Sequence, residues 1–564
     1  MSEKDQNRTT DETATSLETA PAPKKAPAKW IIILAALIVI IGGAITFATV
    51  FKKSPKQLYL ISEVNTYQKA ADELETKYSE TMAYQEKAMK QPSTTNATIK
   101  GGFNMDSLSY DPSFKMIQDL ISKAEIKIKG EQDPKKSEGY GSLALNIGGS
   151  KALDLEGFQT KERIGFKAPI LANEYFYLNL DEYGQVARKF DPSYSGPETL
   201  DINTSNVSLE DLKLTEKEKT YIAKEYGTFI YDELDSDYFT KEKNVDYKTN
   251  GKTLQLTSVT LNMSDKETKQ FMDKLIAKVA KDDKLHTIYA NHVSKLFKSS
   301  AATNPELKDM ADPKELKKSV KESLQDFQKE AKDTTYPGGV KSTVYVQDDV
   351  VVARDMNMGV KNASNDKGKL NVVTKNIPYE DNKTAKQFKA VLADSTTDDA
   401  FTFDMKNNVT TESEKRKENM SIHLLTKDSK DEDMNMTFKM NSVINGKTDA
   451  KQTADRTFSL DLGDQEDLVV NGEVKQNQAI SASKGKADYS FDIRTKIGPK
   501  ADPANVTLKI DSASQLKKSA TIPELDASNA TNVKDVTPED MLSIQENFAK
   551  NVQGLMMNMG TAGY

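Results

Sequence analysis

Three kinds of hydrophobic patterning follow one another along the chain. Residues 30–51, WIIILAALIVIIGGAITFATVF, form one uninterrupted apolar run with Lys24, Lys25 and Lys29 before it and Lys52 and Lys53 after it. At about 1.5 Å per residue such a run spans roughly 30 Å, the hydrocarbon thickness of a bilayer. Trp30, Ile41 and Phe51 mark the start, middle and end of the single membrane-spanning helix this predicts. The run is longer than the apolar part of a cleaved signal peptide, so an uncleaved anchor is expected. Lysines flank both ends, and length decides the orientation: the polar leader, residues 1–29, stays in the cytosol while the long C-terminal region crosses.

Beyond the run, Leu60, Val64, Tyr67, Ala71, Leu74 and Tyr78 recur at helical spacing and predict an amphipathic juxtamembrane helix within residues 52–95. The period then changes to two. Ile126 and Ile128, then Leu143, Leu145 and Ile147, then Leu153 and Leu155, then Phe176, Leu178 and Leu180 alternate with polar residues, as strands with one apolar face do. A helix interrupts them after Asp111-Pro112. The region 208–331 is helical, with capping signals at Thr215/Glu218, Ser264/Glu267 and Asp312-Pro313/Glu315, and a hairpin turning at Asn250-Gly251. From about residue 338 to 512 alternation returns as a long antiparallel meander, with further tight turns expected at Asn445-Gly446 and Asn471-Gly472. Thr537-Pro538 opens a last helix carrying Met541, Ile544, Phe548 and Val552.

One apolar sheet face needs a cover. The expected fold is therefore α+β: one transmembrane helix, then a large curved antiparallel β-sheet ectodomain with helices packed on its concave face. The expected segments are a disordered leader 1–29, the membrane helix 30–51, the juxtamembrane helix 52–95, a first sheet segment with the helical middle 96–335, and the meander with its C-terminal helix 336–564.

Composition narrows the chemistry. There is no cysteine, which excludes disulfides and thiolate catalysis and, in an exported protein, points to a Gram-positive source. A net charge of −7 without a basic stripe argues against nucleic acid. His286, His292 and His423 are too scattered for a zinc site, and no nucleophile elbow, phosphate loop or dinucleotide fingerprint is present. The acid clusters Asp232, Glu233, Asp235, Asp237 and Asp428, Asp431, Glu432, Asp433 lack the spacing of a calcium loop. No cofactor, metal or catalytic residue is assigned. The alternating Met405, Met434, Met436, Phe438 and Met440 are either core or an adaptable apolar ligand face.

The phrase from Val259 to Leu285, a strand running into a capped helix and an Asp-Lys-Leu turn, resembles uncharacterised single-pass membrane-anchored proteins of Gram-positive bacteria. In outline the ectodomain is also similar to LolA/LppX-like envelope lipoproteins, although it lacks a lipobox cysteine and is about twice as long. The resemblance implies a non-enzymatic cell-envelope protein with an extracytoplasmic binding or scaffolding domain, held in the membrane by one helix and taking a lipid-like ligand or an envelope protein. The alternative is a cell-wall-polymer hydrolase or transferase whose acids meet only in space.

Overall fold

A computed structural model describes residues 54–200, 213–301, 307–362, 367–395, 397, 399–427, 433–463 and 467–561. Among the described residues, alternation between apolar and polar side chains produces twenty strands in one sheet. The first six are β1 Ser93–Asn104, β2 Ala124–Asp133, β3 Glu138–Ile147, β4 Ser150–Gln159, β5 Arg163–Lys167 and β6 Tyr175–Asn179. The hairpin β7 Phe239–Thr249 and β8 Lys252–Met263 turns at Asn250 and Gly251, whose φ values of 45° and 75° suit a turn of type I′. The meander comprises β9 Val340–Gln347, β10 Val350–Lys361, β11 Lys367–Glu380, β12 Lys383–Asp394, β13 Ala400–Glu412, β14 Lys415–Lys427, β15 Met434–Asn445, β16 Lys451–Asp461, β17 Leu468–Ser481, β18 Lys486–Pro499 and β19 Ala504–Leu516. The short β20, Ala530–Asn532, lies parallel to β6.

Each strand from β7 to β19 pairs antiparallel with the next in sequence. The last of them, β19, pairs with β1, and the order then runs through β2 to β6 and ends at β20. Among the described residues β7 and β20 are the two free edges. Strands from both halves of the chain thus share one sheet.

Three long helices make the principal cover: α1 Pro55–Lys77 and, of the six named next, the third and the fifth. After α2 Ser79–Ala88 and α3 Pro112–Lys123 come α4 Asp265–Lys281, α5 Asp283–Ala301 and α6 Pro313–Ala331, with α7 Pro538–Thr561 last. The main core joins Leu58, Tyr59, Leu60 and Val64 of α1 and Phe271, Met272, Leu275 and Ile276 of α4 to Val259, Leu261, Val344 and Met358 of the sheet, with Phe327 and Ala331 of α6 behind. Val259 and Val344 are fully buried there. A smaller cluster docks Tyr84 of α2 on Ile480, Ala482 and Ala487.

The expected cover of the whole sheet is corrected. The helices protect β7–β10 and local patches elsewhere, while among the described residues no helix packs substantially on β11–β16. Most of the helical middle is spent on a second layer, because α5 and α6 pack on each other and α6 on α4. The C-terminal helix α7 leaves Met541, Leu542 and Phe548 exposed instead of burying them on the sheet. Only the first half of the α1 seam is buried; Tyr67 and Leu74 face outward. The expected membrane helix, with Trp30, Ile41 and Phe51, lies outside the described residues, as does the leader. Among the described residues no helix is long and apolar enough to cross a membrane, a statement that leaves β-barrels aside.

Capping signals translate directly. Ser264 and Glu267 form a reciprocal capping box, as do Thr215 and Glu218, and Asp312 caps α6 through Lys314 N–H. Two turn assignments do not. Asn445-Gly446 begins a longer loop, residues 446–450, and Asn471-Gly472 lies inside β17. Gly472 sits there because a Cβ at that position would meet the Phe458 ring at 2.8 Å.

Candidate binding face and its polar end

Directly paired residues in antiparallel strands share a face, so the registers trace which side chains stand together. One row runs from the buried Val259 and Val344 through Arg354 and Thr374 to Phe388. It continues through Met405, Ile422, Phe438 and Leu460 to Val470. The next row joins Met356, Val372, Ala390, Phe403, Leu424 and Met436. The apolar face under the helices is therefore the same face that continues, uncovered, across the meander.

All five methionine and phenylalanine positions singled out in sequence stand on this face. Met405, Met436, Phe438 and Met440 are half-buried by their neighbours, and Met434 is 48% exposed. Phe438 stacks with Phe458 at a ring separation of 6.3 Å, and Phe388 leans on Phe403 at 5.9 Å. Phe388, Phe401 and Ile497 remain exposed on it. The opposite face is polar: Asp404 accepts from Gln387 at 2.8 Å and pairs with Lys406 at 3.0 Å, and His423 meets Asn435 at 3.1 Å.

Toward one end of the strands the apolar positions turn polar. Asn407, paired with Lys386 and Met420, follows Met405 on the same face. In the next row Val409, Glu418, Ser442 and Arg456 stand side by side. Arg416 lies beyond Glu418 on β14, its Nε 2.6 Å from Glu418 Oε1. Arg456 donates from Nη1 to Gln476 at 2.8 Å, and burial holds its guanidinium below its usual pKa, with Glu418 opposing and Arg416 reinforcing the shift. A cleft of about 850 Å³ opens here between the outer half of α1 and β12–β14. Polar side chains dominate its walls. These residues escaped notice in the sequence, yet a signal exists: each falls in the apolar phase of its own strand, where a polar residue is out of step.

Beneath α1 a smaller apolar cavity of about 120 Å³ is lined by Leu60, Met263, Phe271, Met272 and Met358. Buried Glu63, paired with half-buried Arg354, forms part of its wall, and Tyr59 and Ser342 share a hydrogen bond of 2.8 Å beside it.

The other sequence candidates are not brought together. His286 is buried against Val279 O at 2.7 Å, and His292 reaches Glu218 at 3.1 Å. Among the described residues no three His, Cys, Asp or Glu side chains form a metal-holding group. In the first acid cluster Asp235 caps Asp237 N–H at 3.0 Å and Glu233 pairs with Lys274 at 2.5 Å. Asp428, Asp431 and Glu432 lie outside the described residues.

No family model matches the chain, and no curated protein sequence matches it. Solved structures similar to it include Pseudomonas aeruginosa OpdQ, at 8% identity and a TM-score of 0.23, covering 75% of this chain and 96% of that one. Acinetobacter baumannii OccAB4 follows at 6% identity and a TM-score of 0.23, covering 76% and 99%. The outer membrane protein opdK of Pseudomonas aeruginosa has 7% identity and a TM-score of 0.22, covering 75% and 98%. No family membership is shown. At these values the likeness carries no argument about what this chain does.

The expected resemblance is not what the comparison returns: the similar solved structures include OccD1 (OprD) and OccAB4, and no LolA/LppX-like lipoprotein is among those named. The expectations of a Gram-positive source, a single-pass envelope placement, an anchored binding or scaffolding domain and a lipid-like ligand are withdrawn with it.

Proposed function

We propose that the chain is a protein-binding platform whose uncovered meander face receives an apolar segment of a partner polypeptide. This reading assigns no catalysis to the chain. The observation that carries the reading is the continuity of one apolar face from a helix-covered core to a bare region, where Met405, Met434, Met436, Phe438 and Met440 lie together. Methionine is flexible and polarizable, and it recurs on surfaces that adapt to several partners. A broad face suits a protein surface better than a small molecule, because an engulfed ligand needs a mostly apolar pocket of roughly 300–1,000 Å³. Here the apolar cavity holds about 120 Å³ and the roomy cleft is polar.

The test is fluorescence anisotropy of a labelled amphipathic helical peptide built from Leu and Gln, titrated with the full chain. Binding is expected, weakened about tenfold or more by Phe438→Asp or Met436→Asp, as for a central contact residue. Lys439→Asp, on the opposite face, should leave it unchanged. No binding by the wild-type chain, or binding indifferent to both apolar-face variants, would overturn the reading.

A further inference from the structure

The apolar cavity beneath α1 lies where the helix cover ends and the bare face begins. Met356 lines it, and the same Met356 opens the row that crosses the meander through Val372, Ala390 and Phe403. Tyr67, also on its wall, keeps 39% of its surface exposed, so the cavity meets solvent at the outer side of α1. Deeper in, Met263 and Leu275 are almost wholly buried. Protein interiors hold few voids larger than a water molecule, and an empty one destabilises in proportion to its volume. At about 120 Å³ this one approaches the roughly 150 Å³ that admits benzene in an engineered apolar cavity.

The lining says which group fits. Four methionines, Met263, Met272, Met356 and Met358, share the wall with Phe271. Thioether sulfur makes favourable contacts with aromatic ring edges, and the unbranched methionine side chain yields to an entering group. Arg354 adds a half-buried guanidinium, and such a cation stacks favourably on a ring face. Other polar groups on the wall are already paired: Tyr59 with Ser342 at 2.8 Å, and Thr268, whose hydroxyl accepts from Val340 N–H at 3.1 Å. An apolar ring asks nothing more of them.

We propose that this cavity is an anchor pocket for one aromatic side chain, phenylalanine in size, standing at an end of the apolar segment that lies on the bare face. This rests on the protein-binding reading above and adds where one end of the segment sits.

Three probes separate the inferences: the labelled Leu/Gln peptide with a terminal Leu replaced by Phe, the same peptide with Ala there, and free toluene. The Phe peptide should bind the full chain about tenfold more tightly than the Ala peptide, the effect of one buried aromatic anchor. Toluene should raise the unfolding temperature, as a ligand of the folded state does, and should shrink the preference for Phe by competing for the pocket. Leu60→Phe, which fills part of the cavity from α1, should bring the two peptides to similar affinity and reduce the toluene shift. Met272→Phe fills it from α4 and should do the same, with circular dichroism checking that each variant folds. Equal affinities in the wild-type chain, or a preference unmoved by toluene and by both variants, would overturn the pocket while leaving the apolar-face reading standing. A toluene shift with neither peptide bound would assign the cavity to a free aromatic molecule and overturn the two readings together.

Discussion

Strands β8–β10 and strands β13–β15 carry the same apolar phase on the same face of one sheet, yet their side chains live in different worlds. Under α1 and α4, Val259, Val344 and Leu275 are almost wholly removed from water. On the meander, Met434 keeps 48% of its surface and Phe388 40%. Burial stabilises at about 25 cal/mol per Å² of apolar surface removed from water, so the first region supplies stability and the second holds much of its apolar surface in reserve. Backbone pairing along strands of twelve and thirteen residues keeps the second region ordered without a core above it. The same pattern serves two purposes according to what lies over it.

This contrast can be broken most severely at Glu63 and Arg354. Arg354→Met leaves Glu63 as a buried, unpaired carboxylate, and urea unfolding should show a loss of about 3–5 kcal/mol, largely restored by the double variant with Glu63→Leu. Next, Leu275→Ala should cost about 2–5 kcal/mol through the cavity it opens, whereas Met436→Ala on the bare face should cost well under half as much in the same measurement. Equal losses at the two positions would show that the meander face is covered after all.

Acid should sharpen the comparison further. In the covered end Asp282 resists the upward push of burial because Tyr221, at 2.6 Å, Leu285 N–H, at 2.9 Å, and Tyr226, at 2.7 Å, all donate to its carboxylate, which is held below its ordinary range. Near the β20 edge Glu182 is drawn down to about 2 by Lys534, Asn532 and Asn179. Depressed carboxylates stabilise the folded state above their unfolded pKa of about 4 and lose that contribution as pH falls through the folded value. Thermal unfolding should therefore weaken between about pH 4 and 2, and Asp282→Asn should flatten part of that slope. The smallest effect is expected at Lys439→Ala on the polar face of β15, within about 0.5 kcal/mol by denaturant melt.

Local chemistry was legible in the chain wherever a few neighbouring residues decide the outcome. Ser264 with Glu267, Thr215 with Glu218, and Asn250-Gly251 place helix starts and a hairpin because caps and positive φ are settled within one turn. Asn471-Gly472 misled for the same reason: the dipeptide suits a turn, but register with β18 and the Phe458 ring holds it extended. Met434, Met436, Phe438 and Met440 could be assigned to one face by period two alone, and Met405 joins them through register. The polar end that adjoins them could not, since Arg416, Ser442 and Arg456 come from three strands and meet only through register.

What the sequence determined by itself was the alternation of faces, the strands and helices that follow from it, and the absence of thiol chemistry. The tertiary structure decided which part of the apolar face is covered, that β19 closes on β1 to make one sheet of both halves, and that out-of-phase polar residues gather at its end. The physical reason is range. Periodicity and capping act over a few residues, whereas cover and register are set by contacts between segments hundreds of residues apart, whose closure entropy the local pattern does not encode.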